Sequence, residues 1–152
     1  MTDLLVGSTI QAADFPPTVQ SMDDTVIANI TSTTFINGSP EVSVTFTAPT
    51  SGRVLIINGG GLRNNSGAAQ VFIDSEVRET NGSGTVVKSP SVTGDGTLSC
   101  ADESLGFEYK SRAYVLEGLT PGGTYFARIQ YRVSGGNTAD ITARTIIVQP
   151  IP

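Results

Sequence analysis

The chain has 152 residues, a length typical of one domain and sufficient to bury a core without a metal ion or a disulfide. Histidine is absent and cysteine occurs once, which excludes imidazole-dependent catalysis, His-ligated zinc and a disulfide framework within one chain. A net charge of −5 argues against nucleic-acid binding, and no apolar run approaches the ~20 residues of a membrane-spanning helix.

The first 24 residues differ in composition from the rest, because they contain Asp residues and no Lys or Arg. Their apolar residues follow neither a helical nor a strand period, and Pro16-Pro17 favours extended backbone. A frayed terminus is the usual alternative, but the apolar content is high for a solvated tail. We therefore expect residues 1–24 to be an anchoring arm and residues 25–152 to be a head domain. The arm residues expected to bind a partner are Leu4, Leu5, Ile10, Phe15, Pro16, Pro17 and Val19.

The head reads as strands separated by turns. In chain order, the predicted strands are 25–34, 41–47, 53–58, 70–80, a short one near Val86, 111–119, 124–134 and 140–149. Gly59-Gly60-Gly61 follows the strand 53–58 and is expected to mark a bulge or a close backbone approach, and Pro150 is expected to end pairing of the last strand. Many short strands and no helical pattern predict an all-β fold, an antiparallel β-sandwich resembling a jelly roll.

One turn carries the most specific local pattern. Leu119 and Pro121 precede Gly122-Gly123, and Tyr125 follows as the first inward residue of the next strand. This arrangement is typical of the tyrosine corner of β-sandwiches, a structural device rather than a reactive site.

Two strands depart from the alternating pattern, since residues 54–57 and 146–148 are apolar on both faces. An antiparallel sandwich normally leaves one face of each strand wet, so a second cover is needed: the arm, a long loop or another subunit. We expect a homo-oligomer, most simply a trimer, with contacts through Leu55, Ile57 and Ile147.

Other residues could carry chemistry, but a plainer interpretation is favoured for each. The Gly59–61 run could cradle phosphate, yet neither a Lys-Ser/Thr pair nor a helix follows it. Two carboxylate pairs could carry glycosidase chemistry: Asp74 with Glu76 on one strand face, and Asp102 with Glu103 in a loop. We expect the strand face to be a solvated surface, since Arg78 continues it. Asp95, Asp102 and Glu103 could bind calcium, although their spacing does not match a calcium-binding loop. The thiol of Cys100 is expected to be buried or inert.

Four stretches, in order along nearly the whole chain, carry a further pattern. They are 4–19, with Asp14-Phe15-Pro16-Pro17; 44–54, with Thr47-Ala48-Pro49; 118–133, with Thr120-Pro121-Gly122-Gly123; and 146–150, with Val148-Gln149-Pro150. In these stretches the chain resembles small virion structural proteins of tailed bacteriophages that infect actinobacteria.

The resemblance implies a short anchoring arm followed by a jelly-roll head like the trimeric C1q and tumour-necrosis-factor modules. It implies a virion structural protein, on the capsid surface as a decoration protein or in the tail or fibres, and it carries over no catalytic residue. Of these we expect a capsid decoration protein that binds the major capsid protein, assembles in the host cytoplasm, resides in the virion and needs no cofactor. A tail or fibre module that binds a receptor or carbohydrate through loop 81–104 is the alternative, although that loop contains no aromatic residue. A polysaccharide hydrolase is disfavoured, since it would need paired acids.

Overall fold

A computed structural model describes residues 15–65, 70–101, 106–135 and 138–152. Within these ranges the chain forms eleven strands and no helix, and the strands make two antiparallel sheets. The predicted all-β antiparallel sandwich is therefore confirmed. The described residues include no helix long and apolar enough to cross a lipid bilayer.

Sheet A contains both ends of the described chain. Its strands are β1 (Val19–Asp23), β2 (Ile27–Ile30), β5 (Arg53–Asn64), β9 (Glu108–Leu116) and β11 (Ala139–Ile151). They lie in the order β1-β11-β5-β9, and β2 also pairs with β11. The long strand β11 thus holds β1 on one side and β5 on the other.

Sheet B supplies the second layer. Its strands are β3 (Ile36–Asn37), β4 (Ser43–Thr47), β6 (Val71–Glu79), β7 (Val86–Lys88), β8 (Leu98–Cys100) and β10 (Thr124–Val133). They lie in the order β3-β10-β6-β7, with β4 also on β10 and β8 also on β6.

The core lies between the sheets and follows the alternation of the strands. In β10, every second side chain points inward and is buried, as the sequence predicts: Tyr125, Ala127, Ile129, Tyr131 and Val133. Val44 and Phe46 of β4 are buried beside them. An apolar stripe of period two on each strand accounts for this single core.

The turn before β10 has the geometry of a tyrosine corner. The backbone N–H of Thr120 donates to the hydroxyl of Tyr125 at 2.8 Å, and the Tyr125 ring stacks on Phe46 with centroids 5.6 Å apart. Leu119 is buried, whereas Pro121 is exposed. The backbone carbonyl of Leu119 would lie 2.5 Å from a Cβ added to Gly52, whose φ of +67° also favours glycine.

The glycine run marks a close approach, one of the two alternatives expected for it, but it does not follow the end of a strand. All three glycines continue β5 and pair with β9, and Gly59 and Gly61 also pair with β11. A Cβ on Gly60 would lie 2.8 Å from Cδ1 of Ile73, so the two sheets approach closely there and a larger residue would displace the Ile73 side chain. The bulge lies instead in β11, between Thr142 and Thr145.

Two further boundaries also differ from the prediction. Pro150 pairs with Val54, so β11 extends to Ile151. β1 pairs with β11 only up to Val148, so proline lies where its missing N–H removes no bond to that neighbour. Of the predicted strand 25–34, only Ile27–Ile30 pairs, and Asn29 interrupts it with a φ of 55°.

The N-terminal segment is described from Phe15 onward. Val19–Asp23 forms β1 of sheet A and packs against β11, so the part of the expected arm that precedes the sandwich ends before Val19. Leu4, Leu5 and Ile10 lie outside the described residues.

Candidate interaction surface

The outward side of sheet A brings the predicted contact residues together. Ile57 lies opposite Ile147 on β11 and opposite Ala113 on β9. Leu55 is two residues from Ile57 and lies opposite Val115. Residues directly opposite on antiparallel strands share a face, as do residues two apart. These five side chains therefore form one apolar area, which we call the outer face of sheet A.

Burial separates the two sides of the same strands. Val54 and Ile56 of β5 point inward and are at most 1% exposed, as are Ile146 at 0% and Val148 at 1% on β11. Leu55, Ile57 and Ile147 remain half-exposed. The doubly apolar strands thus bury one side in the core and present the other outward.

Exposed apolar residues extend this outer face at its margins. Val115 is 43% exposed, Met22 of β1 is 60% exposed, and Tyr109 of β9 is 71% exposed. Met22 lies opposite Thr145, and Tyr109 lies opposite Gly61. The face therefore runs across all four strands of the main sheet order.

Ion pairs mark the two ends of the outer face. Arg53 Nε lies 3.0 Å from a Glu117 carboxylate oxygen at one end, and Arg63 pairs with Asp140 at the other. Between these pairs, none of the described outward residues of β1, β5, β9 and β11 carries a charge.

Gly61 makes room for Tyr109 near the Arg63–Asp140 end of the outer face. A Cβ on Gly61 would lie 2.9 Å from Cγ2 of Thr142 and 3.0 Å from Cε1 of Tyr109. The absence of a side chain at residue 61 therefore lets the Tyr109 ring lie close to β5. An exposed apolar area with an aromatic side chain at its margin is typical of an interaction surface.

The predicted acidic surface on β6 is buried, so that interpretation is wrong. Asp74 is 0% exposed and accepts bonds from Lys88 Nζ at 2.8 and 2.9 Å. Asn58 of β5 donates to it at 3.2 Å, and the N–H of Ser91 donates at 2.9 Å. Asp74 therefore anchors the segment after β7 on the edge of sheet B.

Glu76 is also buried, although it lies on the outward side of sheet B. Arg78 binds both of its carboxylate oxygens at 2.8 Å, and Arg128 Nη2 lies 2.6 Å from one of them. Burial works to raise the pKa of Glu76, but the bonds from both guanidinium groups outweigh it and lower the pKa. Glu76 is therefore held as a paired carboxylate.

The remaining candidates give no assembled reactive site among the described residues. Cys100 is buried on β8. Asp95 lies in the described part of loop 81–104, whereas Asp102 and Glu103 lie outside the described residues. The described ranges contain no group of three His, Cys, Asp or Glu side chains that could hold a metal ion.

The described arm residues lie beside β1. Phe15 is 48% exposed, Pro16 is buried and Pro17 is exposed. Val19 is partly buried against the core. Among the described arm residues, Phe15 and Pro17 thus remain available at the root of the segment.

No family model and no curated protein match the chain. Among solved structures, VP2 of infectious bursal disease virus in a subviral particle superposes with a TM-score of 0.50 at 12% identity, covering 90% of this chain and 33% of VP2. The Eiger TNF of S. frugiperda superposes with a TM-score of 0.46 at 8% identity, covering 90% of this chain and 94% of that protein. The chain spans about a third of the length of the viral proteins that it matches. The likeness is one of fold, a jelly-roll-like sandwich.

Sequence patterns identified the centre of the outer face but not its margins. Leu55, Ile57 and Ile147 stand out because they lie in doubly apolar runs. Met22 and Tyr109 belong to segments without such runs, and only the strand pairing places them on this face. The alternation of Ala113 and Val115 against Tyr114 was the available indication for β9.

Proposed function

We propose that the protein is a bacteriophage virion structural protein, in the first place a capsid decoration protein that self-associates, most simply as a trimer. The observation that carries the proposal is the uncharged apolar outer face of sheet A. Its centre is Ile57 directly opposite Ile147. A β-sandwich of this kind is also the fold of a viral coat protein, VP2, which supports the proposal at the level of fold.

A second copy of this chain is the occupant that the charge distribution favours. The chain carries a net charge of −5, so two copies repel each other wherever carboxylates meet. The outer face of sheet A avoids this repulsion, because its charges are confined to the ion pairs Arg53–Glu117 and Arg63–Asp140 at its ends. Apolar contact there would remove Leu55, Ile57 and Ile147 from water.

The N-terminal segment is the proposed anchor to the major capsid protein. It enters the sandwich at Val19, and Phe15 is exposed just before that point. Binding of the segment to the assembled lattice only would stabilise the shell by mass action. The partner is thus a neighbouring shell protein in the virion, bound through apolar side chains and backbone.

Self-association is tested by placing a charge on the outer face. Ile147→Asp should convert the oligomer to a monomer in sedimentation equilibrium at micromolar concentration, because a carboxylate would be buried without a partner. Val87→Asp is the matched control, since Val87 is a 40% exposed valine on β7 of the other sheet. A wild-type chain that sediments as a monomer, or an Ile147→Asp chain that stays oligomeric, would contradict the proposal.

Docking is tested by deleting residues 2–14, which leaves every described strand in place. The shortened chain should keep its oligomeric state and melting temperature yet be absent from gradient-purified virions of the phage that encodes it. Full incorporation of the shortened chain would refute the anchoring role while leaving self-association untouched.

A further inference from the structure

Arg144 is a buried charge that the proposed function does not use. It is 1% exposed and lies on the inward side of β11, directly after the bulge residue Ala143, whose φ is 46°. A guanidinium stays protonated at any pH a folded protein experiences, so its charge needs a partner inside the sandwich.

Two groups bind this guanidinium, and they come from different parts of the chain. Nη1 donates to the carbonyl of Pro40 at 2.7 Å, and Nη2 donates to Oδ1 of Asp23 at 2.7 Å. Nε has no hydrogen-bond partner among the described residues. Asp23 is therefore the carboxylate that neutralises Arg144, and it lies at the end of β1.

The loop on one side of Arg144 is firmly fixed. A Cβ on Gly38 would lie 1.9 Å from Nη1, so this loop fits closely around the guanidinium. Just before it, Asn37 pairs with Gln130 through the strand register and through a side-chain bond of 2.7 Å. Glu41, just after Pro40, lies 3.4 Å from Arg128 and is thus directed away.

β1 is by contrast weakly held. It is a five-residue edge strand, and every fully buried apolar residue of the described core lies outside it. Besides the ladder to β11, its end is fixed by Asp23 and by the Asp24 carbonyl, which accepts from Thr142 Oγ1 at 2.7 Å. Loss of β1 would therefore uncover Arg144 without opening the main core.

We propose that β1 is a detachable edge strand whose attachment is set by the Asp23–Arg144 ion pair. When Asp23 is neutral, Arg144 becomes a buried unpaired charge, and water can reach it once β1 leaves. The chain up to residue 24 then separates from the sandwich while both sheets remain folded. This would lengthen any anchoring segment by the whole of β1, and the proposal holds or fails independently of what that segment binds.

Hydrogen exchange of the full-length chain at pH 7 tests the proposal. Asp23→Asn keeps the shape of the side chain and removes its charge, so exchange in residues 19–23 should rise by about tenfold or more, since an unpaired buried charge is strongly destabilising. Exchange in β10, at Thr124–Val133, should not change. Asp24→Asn is the matched control: Asp24 is an exposed neighbour of Asp23, and exchange in β1 should stay as in the wild type.

A double variant separates loss of charge pairing from loss of packing. Asp23→Asn with Arg144→Met contains no unpaired charge, so β1 should regain nearly the wild-type exchange rate. The proposal is overturned if Asp23→Asn exchanges no faster than Asp24→Asn, or if the double variant stays as fast as Asp23→Asn. It is equally overturned if β10 accelerates in parallel, because the pair would then hold the whole sandwich.

Discussion

Ile56 and Ile57 are adjacent and chemically identical, yet they lie on opposite sides of β5. Ile56 is 0% exposed in the core, whereas Ile57 is half-exposed on the outer face. Replacing each by Ala therefore separates two roles with one change of chemistry. Ile56→Ala should weaken folding, and Ile57→Ala should weaken self-association.

The expected magnitudes differ between the two variants. Ile56→Ala removes buried carbon and leaves a cavity, which costs about 2–5 kcal/mol. At roughly 2–4 °C per kcal/mol for a chain of this size, a loss of about 3 kcal/mol lowers the melting temperature by about 6–12 °C. Ile57→Ala should lower the stability of the isolated chain by less than about 1 kcal/mol. In the oligomer it should lower the association free energy by about 1–2 kcal/mol per copy, because its remaining exposed carbon is buried there.

Melting curves at several protein concentrations provide the assay. The melting temperature of an oligomer rises with concentration by mass action. Ile56→Ala should lower the melting temperature by nearly the same amount at every protein concentration. Ile57→Ala should instead reduce the rise of the melting temperature with protein concentration. Equal deficits that do not vary with concentration would show that both residues act only in the fold, and the assignment of the outer face would be wrong.

Three further predictions concern the polar contacts of the sandwich. Tyr125→Phe removes the bond to the Thr120 N–H and should lower the unfolding free energy by about 1 kcal/mol, measured by urea titration. Asp74→Asn leaves the ammonium group of Lys88 without its carboxylate partner and should lower the unfolding free energy by about 3 kcal/mol. Proteolysis between residues 89 and 97 should become faster. Burial works to raise the pKa of Asp140, but its bonds from Arg63 and Asn29 outweigh burial and lower the pKa. The pKa of Glu76 is likewise lowered, against the effect of burial, by Arg78 and Arg128. The two carboxylates therefore contribute fully to stability above their ordinary pKa values of 3.8 and 4.5, and this contribution is lost as the pH falls through the folded pKa. Asp140→Asn lacks one of these carboxylates. Its unfolding free energy should therefore decline less steeply with falling pH than that of the wild type.

Strands with one solvent-exposed face could be predicted from the sequence alone. β10 and β4 alternate cleanly, and the inward residues Tyr125 and Phe46 are those that the period of two selects. Such patterns depend on the local chain only, because each side chain is either in the core or in solvent. The fold class follows from the number of these strands and the turns between them.

Features that depend on a distant partner could not be predicted. The sequence leaves open whether Gly59–Gly61 marks a bulge or a close approach, and only the position of Ile73 against Gly60 decides it. Asp74 looks solvated until Lys88 and Ser91 cover it. Arg144 appears in the sequence as one polar residue in an alternating strand, and nothing local indicates that Asp23 will pair with it across the sheet. In each case tertiary packing overrides the local preference.

The antiparallel pairing of β1 with β11 has a mechanical consequence. Val19 lies beside Val148, so the start of β1 and the end of β11 lie at the same pole of the sandwich. Tension applied between these two strand ends would load the β1–β11 hydrogen bonds one after another, like a zipper, rather than all together in shear. Such a joint yields at low force, which would let the leading segment peel away under strain before the rest of the sandwich is pulled apart.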